Sequence, residues 1–156
     1  MAQILIGFAS MSGNTEEMAD LLKEDLENAG HTVTMDEIEE LEADSLQQYE
    51  GVLIGCYTWN DGDLPYEAED FYEELANVDL TGVKAAVFGS GDTAYPQYCE
   101  AVHTFEDQLK AQGAAIVQEG LKVEMAPTTD EDFDAIEQFG KQFAAFFNQT
   151  AALSYS

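Results

Sequence analysis

Apolar residues in this chain fall into two kinds of run, and their order predicts the architecture. Ile4-Leu5-Ile6-Gly7-Phe8, Val52-Leu53-Ile54-Gly55-Cys56 and Ala85-Ala86-Val87-Phe88 are continuous rather than alternating. Such runs predict strands covered by helices on both faces, hence a parallel sheet. Thr32-Val33-Thr34-Met35-Asp36 alternates weakly after the turn at Gly30 and predicts a short edge strand. Helical spacing recurs in Met18, Leu21, Leu22 and Leu26, in Ala68, Phe71, Tyr72 and Leu75, and in Tyr98, Val102, Phe105 and Leu109. A fifth strand is expected within residues 114–124, irregular near Glu119-Gly120. A last helix carries Phe133, Ile136, Phe139, Phe143 and Phe147. In this reading strand and helix alternate five times.

Right-handed crossovers leave few arrangements for such a chain. The expected fold is α/β, a doubly wound five-stranded parallel sheet of order 2-1-3-4-5 with helices on both faces, which puts the polar second strand at an edge. Ligands of such sheets sit beyond the carboxyl ends of strands one and three, where the winding reverses. The loops after strands one, three and four should therefore converge.

Length fits this reading. A chain of 156 residues, 46% hydrophobic, is ample for one domain, expected over residues 1–148 with a frayed tail at 149–156. No apolar run approaches the ~20 residues that span a bilayer, and the N-terminus lacks the basic start of a signal peptide. A soluble, cytoplasmic, monomeric protein is expected. Cys56 and Cys99 are far apart in no metal or redox spacing, which fits reduced thiols.

Charge narrows the partners. Thirty-two acidic residues face five lysines and no arginine, a formal net charge of -27. Nucleic-acid and anionic-membrane binding are disfavoured, and basic partner proteins are favoured. An acidic, lysine-poor surface also suits solubility in a high-salt cytoplasm, and composition does not separate the two readings.

The candidate chemistry lies in the loops. Ser10-Met11-Ser12-Gly13-Asn14-Thr15 joins the first strand to the first helix. A helix N-terminus offers free N–H groups and the positive end of its dipole, and three hydroxyls add donors, so this segment reads as a phosphate cradle. Without a P-loop lysine it suits one terminal phosphate better than a triphosphate. The same residues also read as a plain helix cap, with Glu16 and Glu17 complementing the dipole. The loop after strand three, Tyr57-Thr58-Trp59-Asn60-Asp61-Gly62-Asp63-Leu64-Pro65, holds the chain's one tryptophan among turn-forming and acidic residues. The loop after strand four, Gly89-Ser90-Gly91-Asp92-Thr93-Ala94-Tyr95-Pro96-Gln97-Tyr98-Cys99, is again glycine-rich with aromatics. If these loops meet over the first, Trp59 and Tyr95 can sandwich a flat ring whose phosphate tail reaches the cradle. Tyr98 also fits the buried helix face.

Taken in order, the three motifs resemble those of the flavodoxins, most closely the short-chain bacterial type, over residues 1–148. Ser10 to Thr15, followed by Ala19, is similar to the loop that holds the phosphate of flavin mononucleotide (FMN) in that family. Thr58-Trp59-Asn60-Asp61-Gly62 is similar to the loop stacking on the inner face of the flavin ring. Ser90-Gly91-Asp92 with Tyr95 is similar to the loop that stacks on the outer face and hydrogen-bonds the pyrimidine edge; Tyr98 and Cys99 follow it. The resemblance implies a flavodoxin-like fold and a low-potential one-electron carrier with non-covalently bound FMN. It implies no catalytic residue and no substrate turnover. The implied partners are basic-faced redox proteins, such as an NAD(P)H-dependent flavodoxin reductase and acceptor oxidoreductases. Asp61, Asp63, Glu67 and Asp92 lie in or beside the ring loops and would oppose a negatively charged reduced flavin.

Some residues depart from the family pattern. Gly7 replaces an aliphatic or aromatic residue in the first strand, Tyr57 stands where a small residue or proline often precedes the Thr-Trp pair, and Asn60 stands where many short-chain members have glycine. Other signals are weaker. Asp61-Gly62-Asp63 and Asp130-Glu131-Asp132 lack a calcium loop's register and read as a turn and a helix N-terminus, so no metal is expected. His31 and His103 read as surface residues. A phospho-accepting receiver domain shares the topology, but Cys56-Tyr57-Thr58 and Ser10-Met11 stand where its acidic residues belong. A flavin-dependent quinone or nitro reductase remains the rival on the same fold.

Asn60 generates a prediction. By the resemblance, a backbone carbonyl near it turns to accept the N5 proton that the flavin gains with its first electron. Glycine reaches the positive-φ geometries of such a peptide freely and asparagine at some cost. Asn60→Gly should therefore raise the yield of the one-electron-reduced form in a redox titration, and an unchanged or smaller yield would refute the assignment.

Overall fold

The computed structural model describes residues 3–9, 14–57, 66–91, 100–124 and 129–154. Its strands are β1 (Gln3–Ala9), β2 (Thr32–Glu37), β3 (Gly51–Cys56), β4 (Lys84–Gly91), β5 (Ala115–Ile116) and β6 (Leu121–Glu124). Its α-helices are α1 (Asn14–Asn28), α2 (Tyr66–Leu75), α3 (Glu100–Ala111) and α4 (Asp130–Ser154). All strand pairings are parallel, in the order β2-β1-β3-β4-β5, with β6 also paired to β4. The wound sheet expected from the apolar runs is thus observed, and its fifth strand is broken into β5 and β6 around Gly120.

Alternation along the strands sorts their side chains into two layers. Leu5, Ala9, Val52, Ile54, Cys56, Ala85 and Val87 pack with Phe71 and Leu75 of α2 and Val102, Phe105 and Leu109 of α3. Ile4, Ile6, Phe8, Leu53, Ala86 and Phe88 pack on the other face with Met18, Leu22 and Leu26 of α1 and Ile136, Phe139 and Phe143 of α4. Both faces are covered, which is why the runs are continuous. The edge strand β2 is half-buried or exposed throughout, as its polar composition requires.

Three expectations are corrected. No α-helix stands between β2 and β3; the crossover consists of two 3-10 segments, Ile38–Glu40 and Ala43–Gln48. Its apolar residues Ile38 and Leu41, and then Ala43 and Leu46, are spaced by three, which suits 3-10 geometry. Its carboxylates at Glu39 and Glu42, and at Glu40 and Asp44, would repel one another across the turns of an α-helix. His31 is buried, not on the surface, with its ring edge-on to Phe147 at 5.7 Å. Phe133 is 41% exposed although it continues the apolar stripe of α4. The backbone of α4 is helical over Asp130–Ser154. Asp132 occupies a reciprocal cap: its N–H donates to Thr129 Oγ1 at 3.1 Å, and its carboxylate accepts from the Thr129 N–H at 3.3 Å. The Asp130-Glu131-Asp132 run is therefore a helix N-terminus. No described helix is long and apolar enough to cross a membrane.

Close approach over β3 depends on glycine. The Phe88 ring lies where a Cβ on Gly55 would stand, and Phe143 and Phe147 crowd Gly51. Gly55→Ala should destabilise the protein by about 1–3 kcal/mol through overpacking, measured as a lower midpoint in urea denaturation with an unchanged slope.

Candidate functional site at the carboxyl edge of the sheet

The reversal of winding occurs at β1, which pairs with β2 on one side and β3 on the other. Ala9, the last residue of β1, is level with Cys56, the last of β3, and β4 ends beside them at Gly91. From these three neighbouring ends the chain enters residues 10–13, 58–65 and 92–99. Every segment singled out as candidate chemistry therefore begins at one edge of the sheet, beside the crevice that a switch in strand order creates.

Few predicted site residues lie within the described regions. Asn14 opens α1 and Thr15, in its first turn, is fully buried. Ser90 and Gly91 are the last two residues of β4. Ser10, Met11, Ser12, Gly13, Thr58, Trp59, Asn60, Asp61, Gly62, Asp92, Tyr95, Tyr98 and Cys99 lie outside the described residues, as does Asp63. α1 starts five positions after the end of β1, so its free N–H groups and positive dipole end face the same edge.

The described surroundings are acidic. Glu16 of α1, Glu37 at the end of β2, and Glu39 and Glu40 flank the strand end that leads into residues 10–13. Reduced contact with water and then the carboxylates of Glu40, Glu39 and Glu16 push the Glu37 pKa above its ordinary value. None of the five lysines lies in the three loops. Lys23 pairs with Glu27 at 3.7 Å, Lys141 with Glu137 at 2.6 Å, and Lys84 lies 5.3 Å from the Phe147 ring centre.

Comparison with known proteins assigns the family. A family model described as Flavodoxin matches residues 6–139. The chain belongs to the flavodoxin family. It is 51% identical over 146 residues to probable flavodoxin 1 of Bacillus subtilis, with 94% of this chain and 92% of that protein covered. It superposes on oxidised flavodoxin 2 from Bacillus cereus with a TM-score of 0.91 at 53% identity, covering 92% and 99% of the two chains. A Streptococcus pneumoniae flavodoxin gives 0.88 at 40% identity, with 92% and 99% covered. Flavodoxins are electron-transfer flavoproteins, and FMN is the flavin they bind.

The loops were legible as chemistry, but the packing that brings the ends of β3 and β4 together was not. Gly89 is the example. A Cβ there would fall on the Cys56 carbonyl oxygen and lie 2.8 Å from Val102 Cγ2, so only glycine lets the ends of β3 and β4 close up. Cys56 itself is buried, and its Sγ–H donates to the Tyr57 carbonyl at 3.3 Å. A glycine inside a strand run is the one sequence signal of such an approach. Gly89→Ala should cost roughly 1–3 kcal/mol in urea denaturation. It should also speed hydrogen exchange at Ser90 and Gly91 more than at Ile4 or Leu5, because the collision lies at the carboxyl edge.

Proposed function

We propose that this chain binds FMN non-covalently in the crevice beside β1 and β3, and that it carries single electrons at low potential between a reductase and acceptor enzymes. The observation that carries the reading is the adjacency of the β1, β3 and β4 carboxyl ends, each continuing into one of the three motifs. Bound FMN supplies a ring that accepts and donates electrons one at a time.

The chain's residues hold and tune that ring. Ser10, Ser12 and Thr15, with N–H groups from Met11 to Thr15, hold the phosphate without a cation, a donor set that fits the buried Thr15 and the helix start at Asn14. Thr58 and Trp59 cover one ring face, with Asn60, Asp61 and Gly62 completing that loop. Tyr95 covers the other face, and Ser90, Gly91 and Asp92 present donors to the pyrimidine edge, flanked by Tyr98 and Cys99. Stacked aromatics leave little room for a substrate, which favours a carrier over a quinone or nitro reductase.

Electrostatics sets the potential. One carboxylate ~10 Å away disfavours an added negative charge by roughly 0.4 kcal/mol in water and about 1.7 kcal/mol at an effective dielectric near ~20. For a one-electron couple this is on the order of 20 to 70 mV per carboxylate. Asp61, Asp63, Glu67 and Asp92 combine such contributions, making the reduced protein a strong electron donor. The acidic rim docks basic faces of a reductase and of acceptors. The protein works as a cytoplasmic monomer in this reading.

An anaerobic redox titration of the FMN-loaded protein tests it. The expected result is a yellow protein reduced in two one-electron steps, with the second potential rising as salt screens the carboxylates. A second potential indifferent to salt would remove the electrostatic account. Rapid NAD(P)H oxidation by the purified protein alone would instead identify a reductase.

A further inference from the structure

The break in the fifth strand is built, and it bears on the end of β4. β5 pairs Lys84 with Ala115 and Ala85 with Ile116, whereas β6 pairs Phe88 with Leu121. From Ala85 to Phe88 β4 advances three positions, while its neighbour advances five from Ile116 to Leu121, so two extra residues are inserted. An even insertion keeps the alternation of faces, so Val123 still enters the core with Phe88.

The insertion is fastened to helices on both sides of the sheet. Gln118 is buried, and its Nε2 donates to the Phe139 carbonyl of α4 at 3.1 Å. From the opposite layer, the Glu106 carboxylate of α3 packs against the Gly120 backbone, one of the influences that lower its pKa. Gly120 has to be glycine, since a Cβ would lie 2.5 Å from Val102 Cγ1 and 3.1 Å from Glu106 Oε2. His103 braces Glu106 through Nδ1 at 3.3 Å, and Lys122 of β6 meets His103 Nε2 at 2.5 Å. Burial pushes the Glu106 carboxyl above its ordinary pKa, against the lowering effects of His103, Gly120 and Lys122.

The pairing of β4 shows what the fastening controls. Its ladder with β3 ends at Gly55 and Phe88, and the pairs Gly89–Lys122, Ser90–Val123 and Gly91–Glu124 belong to β6. The last residues of β4 are thus held in the sheet by β6, and β6 takes its register from the joint.

We propose that Glu106, seconded by Gln118, is a positioning residue for the flavin site: by fixing the two-residue insertion between β5 and β6 it sets where Ser90 and Gly91 stand and where residues 92–99 begin. The proposal rests on the FMN reading for its consequence, but its structural half is independent of it. A carboxylate packed against a backbone N–H and braced by His103 can hold that segment more firmly than a neutral group in the same place.

The test compares Glu106→Ala, Glu106→Gln and Gln118→Met with a packing control, Val78→Ala, in the full-length protein. Three readouts are taken: FMN affinity, the two reduction potentials, and hydrogen exchange at Ser90 and Gly91. Glu106→Ala should weaken FMN binding by roughly tenfold, the scale of one lost hydrogen bond to a charged group, shift a potential and speed exchange at both amides. Glu106→Gln keeps an acceptor for Gly120 and should restore all three readouts towards wild type. Gln118→Met should repeat the Glu106→Ala pattern more weakly, and it carries the test alone if Glu106→Ala does not fold. Wild-type exchange at Ser90 and Gly91 in the variants, or effects no larger than those of Val78→Ala, would overturn the proposal. If the wild-type protein takes up no FMN, the cofactor reading fails while exchange still decides the role of the joint.

Discussion

Everything in this molecule is hung on β1. It is the strand with parallel ladders on both sides in opposite directions of winding, to Val33 and Met35 of β2 and to Val52 and Leu53 of β3. Ile4, Leu5 and Ile6 are fully buried between two helical layers, so its backbone has no solvent to turn to and must be paired on both edges. That requirement fixes the register of the neighbours. It also leaves a crevice where the crossovers part to opposite faces. The crevice is a by-product of burying a parallel sheet, and the motifs continue from the strand ends that border it.

Two means of close approach refine this frame. Glycines at 51, 55 and 89 remove side chains where aromatic rings, or another strand's carbonyl, come within contact of β3 and β4. Gln118, whose Nε2 donates to the Phe139 carbonyl, and Glu106, packed against Gly120, flank the strand break on its two sides. The first kind of contact brings the strand ends together, and the second keeps the far side of β4 from drifting. The contacts at Gly55 and Gly89 lie towards the carboxyl edge, whereas Gly51, the first residue of β3, is crowded at the opposite end.

Charge acts over a longer range and on a different quantity. With a net charge of -27 the molecule repels itself, and Lys23, Lys141 and Lys84 each sit against a local acidic or aromatic partner. The acidic field does not choose the fold. Under the function proposed here, it opposes the charge of a reduced flavin and draws basic partners. A cation-free phosphate cradle is consistent with that field, because N–H dipoles and hydroxyls hold an anion without cancelling the surrounding charge.

The sequence by itself determined the strands, the four α-helices and their order, because the information is local. Continuous apolar runs mark strands buried on both faces, 3.6-residue stripes mark α1 to α4, and short polar motifs mark the loops that leave the strands. Those signals sufficed for the doubly wound sheet and for the family. Tertiary structure decided which atoms meet. His31 is buried because Phe147, more than a hundred residues away in the chain, closes over it, and no local pattern at residue 31 encodes that ring. Phe133 continues a helical stripe and still faces solvent, whereas Ile136, one turn further on, is buried in the core. The 3-10 crossover, the glycine contacts of β3 and β4, and the two-residue shift between β5 and β6 have the same origin. Each depends on the register between segments distant in sequence, which is settled only when both faces of the sheet are packed at once.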